Sequence, residues 1–149
     1  MNRLLGIIAL LGALAVVLGA FGAHYLNERV DTDTVASFET GVRYQMYHLL
    51  LLLIVLTNQR FSLKAKKRIS LLLLIGIIFF SGSIYAITFG VDPATIWFIT
   101  PLGGLCFIAG WLMLAWSFFK LRKWHRLLNI SFWANCRLFL AQNIVNTNN

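Results

Sequence analysis

Charge is scarce in this sequence. Of its 149 residues 12% are charged, against about 25% in an ordinary soluble domain, and only five are acidic. A wide water-facing surface is thereby excluded. Cysteine is equally sparse: Cys106 and Cys136 form no Cys-x-x-Cys pair, so nothing supports a zinc site, and their placement in an apolar stretch and a basic one argues against a disulfide. There is no phosphate-binding glycine loop, no His-Glu-x-x-His and no Gly-x-Ser-x-Gly around Ser81 or Ser83. No paired carboxylates fall within an apolar stretch. These absences argue against an enzyme, and no cofactor or metal site is expected.

What the sequence has in abundance is apolar surface. Hydrophobic residues make up 59% and the mean hydropathy is +0.76. A bilayer core of about 30 Å needs roughly 20 apolar residues in a helix. Four segments meet or approach that length, at about 4–25, 41–57, 69–89 and 94–119. Their length and the lack of a period-two alternation exclude transmembrane strands. The predicted fold is all-α: a polytopic membrane protein with four transmembrane helices in a compact bundle over 1–119, followed by a basic amphipathic tail over 120–149. The second span is the weakest, because Tyr44, Gln45 and His48 lie within it. Its helix is expected to begin before the membrane, near Val35, capped by Asp33 or Thr34. Arg3, the following apolar run and Ala20-Phe21-Gly22 imitate a signal peptide, but the run continues to Tyr25, long enough to span, and is expected to be retained.

The net charge of +8 and a pI near 10.1 come from basic residues beside the spans. Arg3, then Arg60, Lys64, Lys66, Lys67 and Arg68, then Lys120, Arg122, Lys123, Arg126 and Arg137 fall on one side. Arg29, Arg43 and all five acids, Glu28, Asp31, Asp33, Glu39 and Asp92, fall on the other. The positive-inside rule predicts cytoplasmic N- and C-termini in a bacterial inner membrane. The basic residues then face anionic lipid headgroups, and nucleic acid is not an expected partner. In the tail, Leu121, Trp124, Leu127, Phe132 and Trp133 alternate with cations, as in a helix lying on the membrane surface.

Small residues recur every seven positions, at Gly12 and Gly19, Gly76 and Ser83, and Gly103 and Gly110. Such spacing returns to nearly the same helix face and predicts close helix packing. Pro101 predicts a kink between Trp97 and Pro101. His24, Glu39, Arg43, Tyr44, Gln45 and His48 form a candidate polar cluster near the outer face. Glu39 and Arg43 stand in favourable order for an ion pair, and His24 could meet His48 if the first two helices are neighbours. The cluster fits interhelical hydrogen bonding; alternatively it is an outward-facing pocket serving a small-solute or ion transporter or channel component.

Several motifs resemble a known family. Gly19-Ala20-Phe21-Gly22-Ala23-His24 closes the first span. Phe38-Glu39-Thr40-Gly41-Val42-Arg43-Tyr44-Gln45-Met46-Tyr47-His48 enters the second. Phe80-Ser81-Gly82-Ser83-Ile84-Tyr85 lies in the third, and Pro101-Leu102-Gly103-Gly104 with Gly110-Trp111 in the fourth. Together, from about residue 4 to 119, they resemble the YgdD/YwdK family of small bacterial inner-membrane proteins. The resemblance implies a four-helix membrane protein without an established biochemical activity, and it supplies no catalytic residues. The most direct functional expectation is a non-enzymatic accessory or structural membrane protein, possessing a homo-oligomeric or membrane-protein partner.

Overall fold

The structure is a computed structural model that describes residues 2–120. It is helical throughout, with no strand among the described residues. Helix α1 spans Asn2–His24 and is followed by a 3-10 turn at Leu26–Glu28. Helix α2 spans Thr32–Thr57, α3 spans Leu63–Thr88 and α4 is a single turn at Pro93–Ile96. After a turn at 97–98, α5 runs over 99–120. The bundle is formed by residues up to Leu114, and a second unit begins at Ala115. The basic tail expected at 120–149 lies, beyond Lys120, outside the described residues.

Four helical segments are long and apolar enough to cross a membrane: Arg3–Glu28, Thr32–Thr57, Leu63–Thr88 and Pro93–Lys120. At the extremes, burial runs opposite to hydropathy. The most apolar span, α1, has 11% of its hydrophobic window buried, whereas α2, the least apolar, has 44%. In lipid this is the expected arrangement, because polar groups must find partners inside the protein while leucine-rich faces can meet acyl chains. Helix α2 is therefore the centre of the bundle. Its 26 residues give about 39 Å of helix, more than a bilayer core needs.

The start of α2 lies earlier than expected. Asp31, not Asp33 or Thr34, is the N-cap: its carboxylate accepts from the Thr34 amide at 2.9 Å and the Thr34 hydroxyl at 2.7 Å. Asp31-Thr32-Asp33-Thr34 offers four successive cap-competent side chains, so local preference alone does not choose among them. At the same end, Phe38 is fully buried beneath Leu26 and Val35, and its ring meets Phe21, Tyr85 and Phe89. Gly22 leaves room for it, since a Cβ there would sit 2.9 Å from Phe38 Cδ1. Helix α3 ends in a Schellman turn at Gly90 (φ +100°), with Val91 N donating to Ala86 O and Gly90 N to Ile87 O.

At the opposite end, Ser62 caps α3 by accepting from the Ala65 amide. Lys66 is buried and its Nζ donates to Leu56 O at 2.7 Å. An ammonium is thereby supplied to the last turn of α2, where carbonyls lack helical partners and the helix dipole is negative.

Helices α3 and α5 approach most closely. A Cβ on Gly103 would lie 2.8 Å from the Phe80 backbone Cα; one on Gly76 would meet the Phe107 ring and Gly103 O; one on Gly110 would meet Leu73. Ser83 faces Thr100 in the same seam. The spacing on α1 behaves differently. A Cβ on Gly19 would have ordinary contact with Val42 at 3.7 Å, and one on Gly12 would meet nothing within 4 Å, so Gly12 makes no close packing contact. Gly41, outside the seven-residue pattern, is tighter than either, with Tyr85 Cε1 3.1 Å from the position of a Cβ.

The break at Trp97 and Phe98 falls within the stretch where Pro101 was expected to kink the helix, and Pro101 itself stands in the first turn of α5. Leu102 N donates back to Phe98 O at 3.2 Å. In a first turn the proline lacks only an amide that would have no helical partner, so it starts a helix at little cost.

Candidate functional site

The polar residues of the spans are distributed over three interhelical contacts. Gln45 is 4% exposed and spans the gap between two neighbours. Its Nε2 donates to Leu11 O of α1 at 3.0 Å, and its Oε1 accepts from the Tyr85 hydroxyl of α3 at 2.9 Å. One amide thus ties α1, α2 and α3 together in a region without competing water.

Nearly one turn further and about 60° round α2, His48 points to α5. Its ring stacks on Phe107 with centroids 3.5 Å apart and a 6° interplanar angle. Nδ1 lies 2.7 Å from Tyr44 O, and Trp111 Nε1–H donates to Nε2 at 3.3 Å. A carbonyl can only accept and an indole N–H can only donate, so an imidazole carrying its hydrogen on Nδ1 satisfies both. Tyr44 covers the arrangement from outside, its ring stacked on Phe80 at 4.7 Å. The third contact joins α3 to α2 and α5. Ser81 donates to Gly41 O at 2.7 Å, and Ser83 lies 2.6 Å from the Thr100 hydroxyl while donating to Phe80 O.

The rest of the expected cluster does not assemble. Glu39 and Arg43 form no ion pair; Arg43 Nη2 donates instead to Thr40 Oγ1 at 3.1 Å. His24 is exposed at the end of α1 and makes no contact with His48. The antiparallel register accounts for this: with Gly19 opposite Val42, His24 lies five residues along α1 in one direction and His48 six residues along α2 in the other, an axial separation of roughly 16 Å. Among the described residues, no group of three or more histidine, cysteine or acidic side chains could hold a metal. One buried side-chain atom, Ser70 Oγ, has no hydrogen-bond partner.

Tyr85, Trp111 and Thr100 complete these contacts and were not part of the expected cluster. A tyrosine or tryptophan inside an apolar helix does signal a polar tip in need of a partner, but the partner's identity depends on helix register. A separate open cavity of about 450 Å³ lies between the beginning of α2, the end of α3 and the beginning of α5, lined by Asp33, Thr34, Ser37, Thr40, Ile84, Ile87, Thr88 and Thr100.

Four helices long and apolar enough to cross a membrane define a polytopic integral membrane protein. The matching family, described as a protein of unknown function (DUF423), covers residues 18–104, and the chain belongs to it. The chain is 39% identical over 119 residues to the UPF0382 membrane protein of Haemophilus influenzae, a match covering 80% of this chain and 95% of that protein. It is 39% identical over 103 residues to the UPF0382 membrane protein YwdK of Bacillus subtilis, covering 68% and 83% respectively. It is 34% identical over 118 residues to the UPF0382 inner membrane protein YgdD of Escherichia coli, covering 77% and 88%. No solved structure matches the chain.

Proposed function

We propose that this protein is a non-enzymatic accessory or structural component of the bacterial inner membrane, acting through the surface of a closed helix bundle. The observation that carries the reading is the internal pairing of five polar side chains inside the spans, with Ser70 Oγ the buried exception among the described residues. Gln45, His48, Ser81, Ser83 and Tyr85 are engaged with other groups of the same chain. A transport pathway or catalytic centre needs polar groups available to a solute, whereas these hold helices together. Interhelical hydrogen bonds of this kind contribute about 0.6–2 kcal/mol each.

In this reading the N- and C-termini and the basic loop around Arg60 to Arg68 face the cytoplasm, the loop against anionic headgroups. The bundle presents its lipid-facing helices to a second copy or to another membrane protein. Cysteine placed singly at Asn58 should be labelled only after the inner face is made accessible; labelling from outside intact cells would reverse the topology.

Reconstitution tests the functional reading. Proteoliposomes holding the protein should conduct protons, potassium ions and small solutes no faster than empty vesicles. A flux present with the native chain and abolished by Gln45→Leu, at equal incorporation, would overturn it in favour of transport.

A further inference from the structure

The neighbours of α2 gather on one side of it, where Gln45, His48, Leu52 and Val55 are buried. The side turned roughly opposite carries a second pattern. Ala36, Glu39, Arg43, Met46, Leu50 and Leu53 follow one another at intervals of three and four residues. Ala36, Arg43 and Leu50 are exposed, and Glu39, Met46 and Leu53 are half-buried. This is the heptad spacing of a seam that meets a second helix at the shallow crossing usual in membranes. Glu39 and Arg43 put two charges into that seam. Arg43 donates to Thr40 Oγ1 at 3.1 Å, and Glu39 has neither a hydrogen bond nor an ion pair among the described residues.

Arg43 lies well inside the span. The Gly41 carbonyl accepts from Ser81, which stands seven residues before the end of α3 at Thr88. Val42 lies against Gly19, five residues before the end of α1 at His24. At about 1.5 Å per residue, Arg43 is therefore roughly 9 Å inside the end of α1 and roughly 14 Å inside that of α3, and Glu39 roughly 3 Å and 8 Å. The exposed residues near the level of Arg43 are apolar, Val17 on α1 and Phe79 on α3. Acyl chains offer a guanidinium or a carboxylate no partner, and ionisable groups in spans ordinarily face protein, water or one another. Within the chain the guanidinium turns to Thr40 and leaves the carboxylate unpaired.

We infer that this face of α2 is the interface to a second copy of the same chain, in which each Arg43 meets the partner's Glu39. A closed pair of copies inserted in one orientation has its two-fold axis along the membrane normal, so the two α2 helices run parallel. Arg43 lies about 40° round the helix from Glu39. With the axis facing the line between them, the two-fold operation sets each arginine across from the partner's Glu39. In heptad packing the hole that receives Arg43 includes that residue, one turn towards the helix start. The offset of about 6 Å along the helix is closed by the arginine itself, because long side chains lean towards the helix N-terminus and Arg43 Nη2 already reaches Thr40. The acids and bases of the two copies then form one neutral cluster, and Met46, Leu50 and Leu53 pack beside it along the seam. An unrelated membrane protein would have to bring the reverse pair at the same spacing and depth; a second copy brings it by symmetry. The inference names the partner of the surface-acting bundle proposed above and rests on that reading.

Disulfide cross-linking in membranes tests it, on the full chain carrying Cys106→Ser and Cys136→Ser. On oxidation, Leu50→Cys or Leu53→Cys should yield a dimer, whereas Val16→Cys on α1 and Ile78→Cys on α3, both exposed, should not. Glu39→Arg alone or Arg43→Glu alone gathers four like charges at the seam and should cut the Leu53→Cys dimer about ten-fold. Co-expressing the two charge variants under different tags should restore it as the mixed dimer, because one chain then presents bases and the other acids. That arm separates the interface from misfolding and from pairing within one helix, since neither variant can form the ion pair by itself. Equal cross-linking at seam and control positions, charge variants that dimerise like the native chain, or a mixture that fails to dimerise would each overturn the assignment. If cross-linking fails while vesicles stay tight, the interface alone is wrong; a flux abolished by Gln45→Leu would overturn the functional reading whatever the cross-links show.

Discussion

Replacing Gly103 by alanine adds one methyl group at the closest approach of two helices, and its consequence can be worked from the geometry. The new Cβ would lie 2.8 Å from Phe80 Cα, with the Phe80 amide nitrogen closer still. Ordinary contact begins at about 3.4 Å, so α3 and α5 must separate by more than half an ångström. Backbone cannot turn aside as a side-chain end can, and the displacement also draws on the Ser83–Thr100 contact and the stack of Phe107 on His48. Overpacking of this kind costs about 1–3 kcal/mol. Alanine returns up to about 1 kcal/mol through helix propensity, leaving a net loss of up to about 2 kcal/mol at Gly103. At Gly104 or Gly12, where nothing lies within 4 Å of a Cβ, the propensity gain stands alone. Thermal unfolding in detergent, followed by size-exclusion fluorescence, should therefore place Gly103→Ala below the native protein and Gly104→Ala and Gly12→Ala at or above it. For a chain of this length 1 kcal/mol corresponds to roughly 2–4 °C. A second comparison isolates the backbone. At Gly76 the added Cβ meets chiefly the Phe107 ring, so Phe107→Leu should partly rescue Gly76→Ala but leave Gly103→Ala unrescued. If Gly103→Ala and Gly104→Ala melt together, the close approach of α3 and α5 is wrong.

Three further outcomes follow from the polar contacts. A double-mutant cycle of Gln45→Leu and Tyr85→Phe should give a coupling of about 0.6–2 kcal/mol in thermal or denaturant unfolding, and additive losses would mean that the 2.9 Å bond contributes nothing. His48→Ala should lower the melting temperature and alter Trp111 fluorescence, whereas His24→Ala, at an exposed position, should stay within about 0.5 kcal/mol of the native protein; equal effects would contradict the register that separates the two. Asp31 has its pKa held below the usual carboxylate value of 3.8 by hydrogen bonds from the Thr34 hydroxyl and amide. Its folded-state pKa lies below its unfolded one, so its contribution is present in full above about pH 4 and is lost as pH falls through the depressed value. Asp31→Asn should flatten the acid side of the stability profile between pH 5 and pH 2 while keeping a capping oxygen, and an unchanged profile would remove Asp31 as the titrating group.

The parts of this fold that were legible in the sequence depend on composition and length. Four runs of apolar residues must be helices because lipid offers backbone groups no partner, and that holds whatever the helices touch. The parts that were not legible depend on register. Gly12 and Gly103 look alike as members of seven-residue pairs, yet one faces open space and the other the Phe80 backbone. Glu39 and Arg43 have the spacing of an ion pair, but Thr40 intercepts the guanidinium. The second span shows why hydropathy alone misleads about importance. Gln45 and His48 lower its apolar score, and the same two residues bond α2 to its neighbours, so the span that looks least fit for the membrane is the one the others enclose. A weak span whose polar residues are amide, imidazole or hydroxyl, each able to donate and accept, is best placed at the centre of a membrane bundle. A weak span with charged residues at the same positions would need either a counter-charge or water. Replacing Gln45 by glutamate distinguishes the two: the Leu11 carbonyl would face an acceptor, and the bundle should tolerate it only when the carboxyl is protonated. Melting temperatures of Gln45→Glu should therefore approach those of the native protein as the pH is lowered and fall away as it is raised; a pH-independent loss would show that the amide is not what joins α1 to α2.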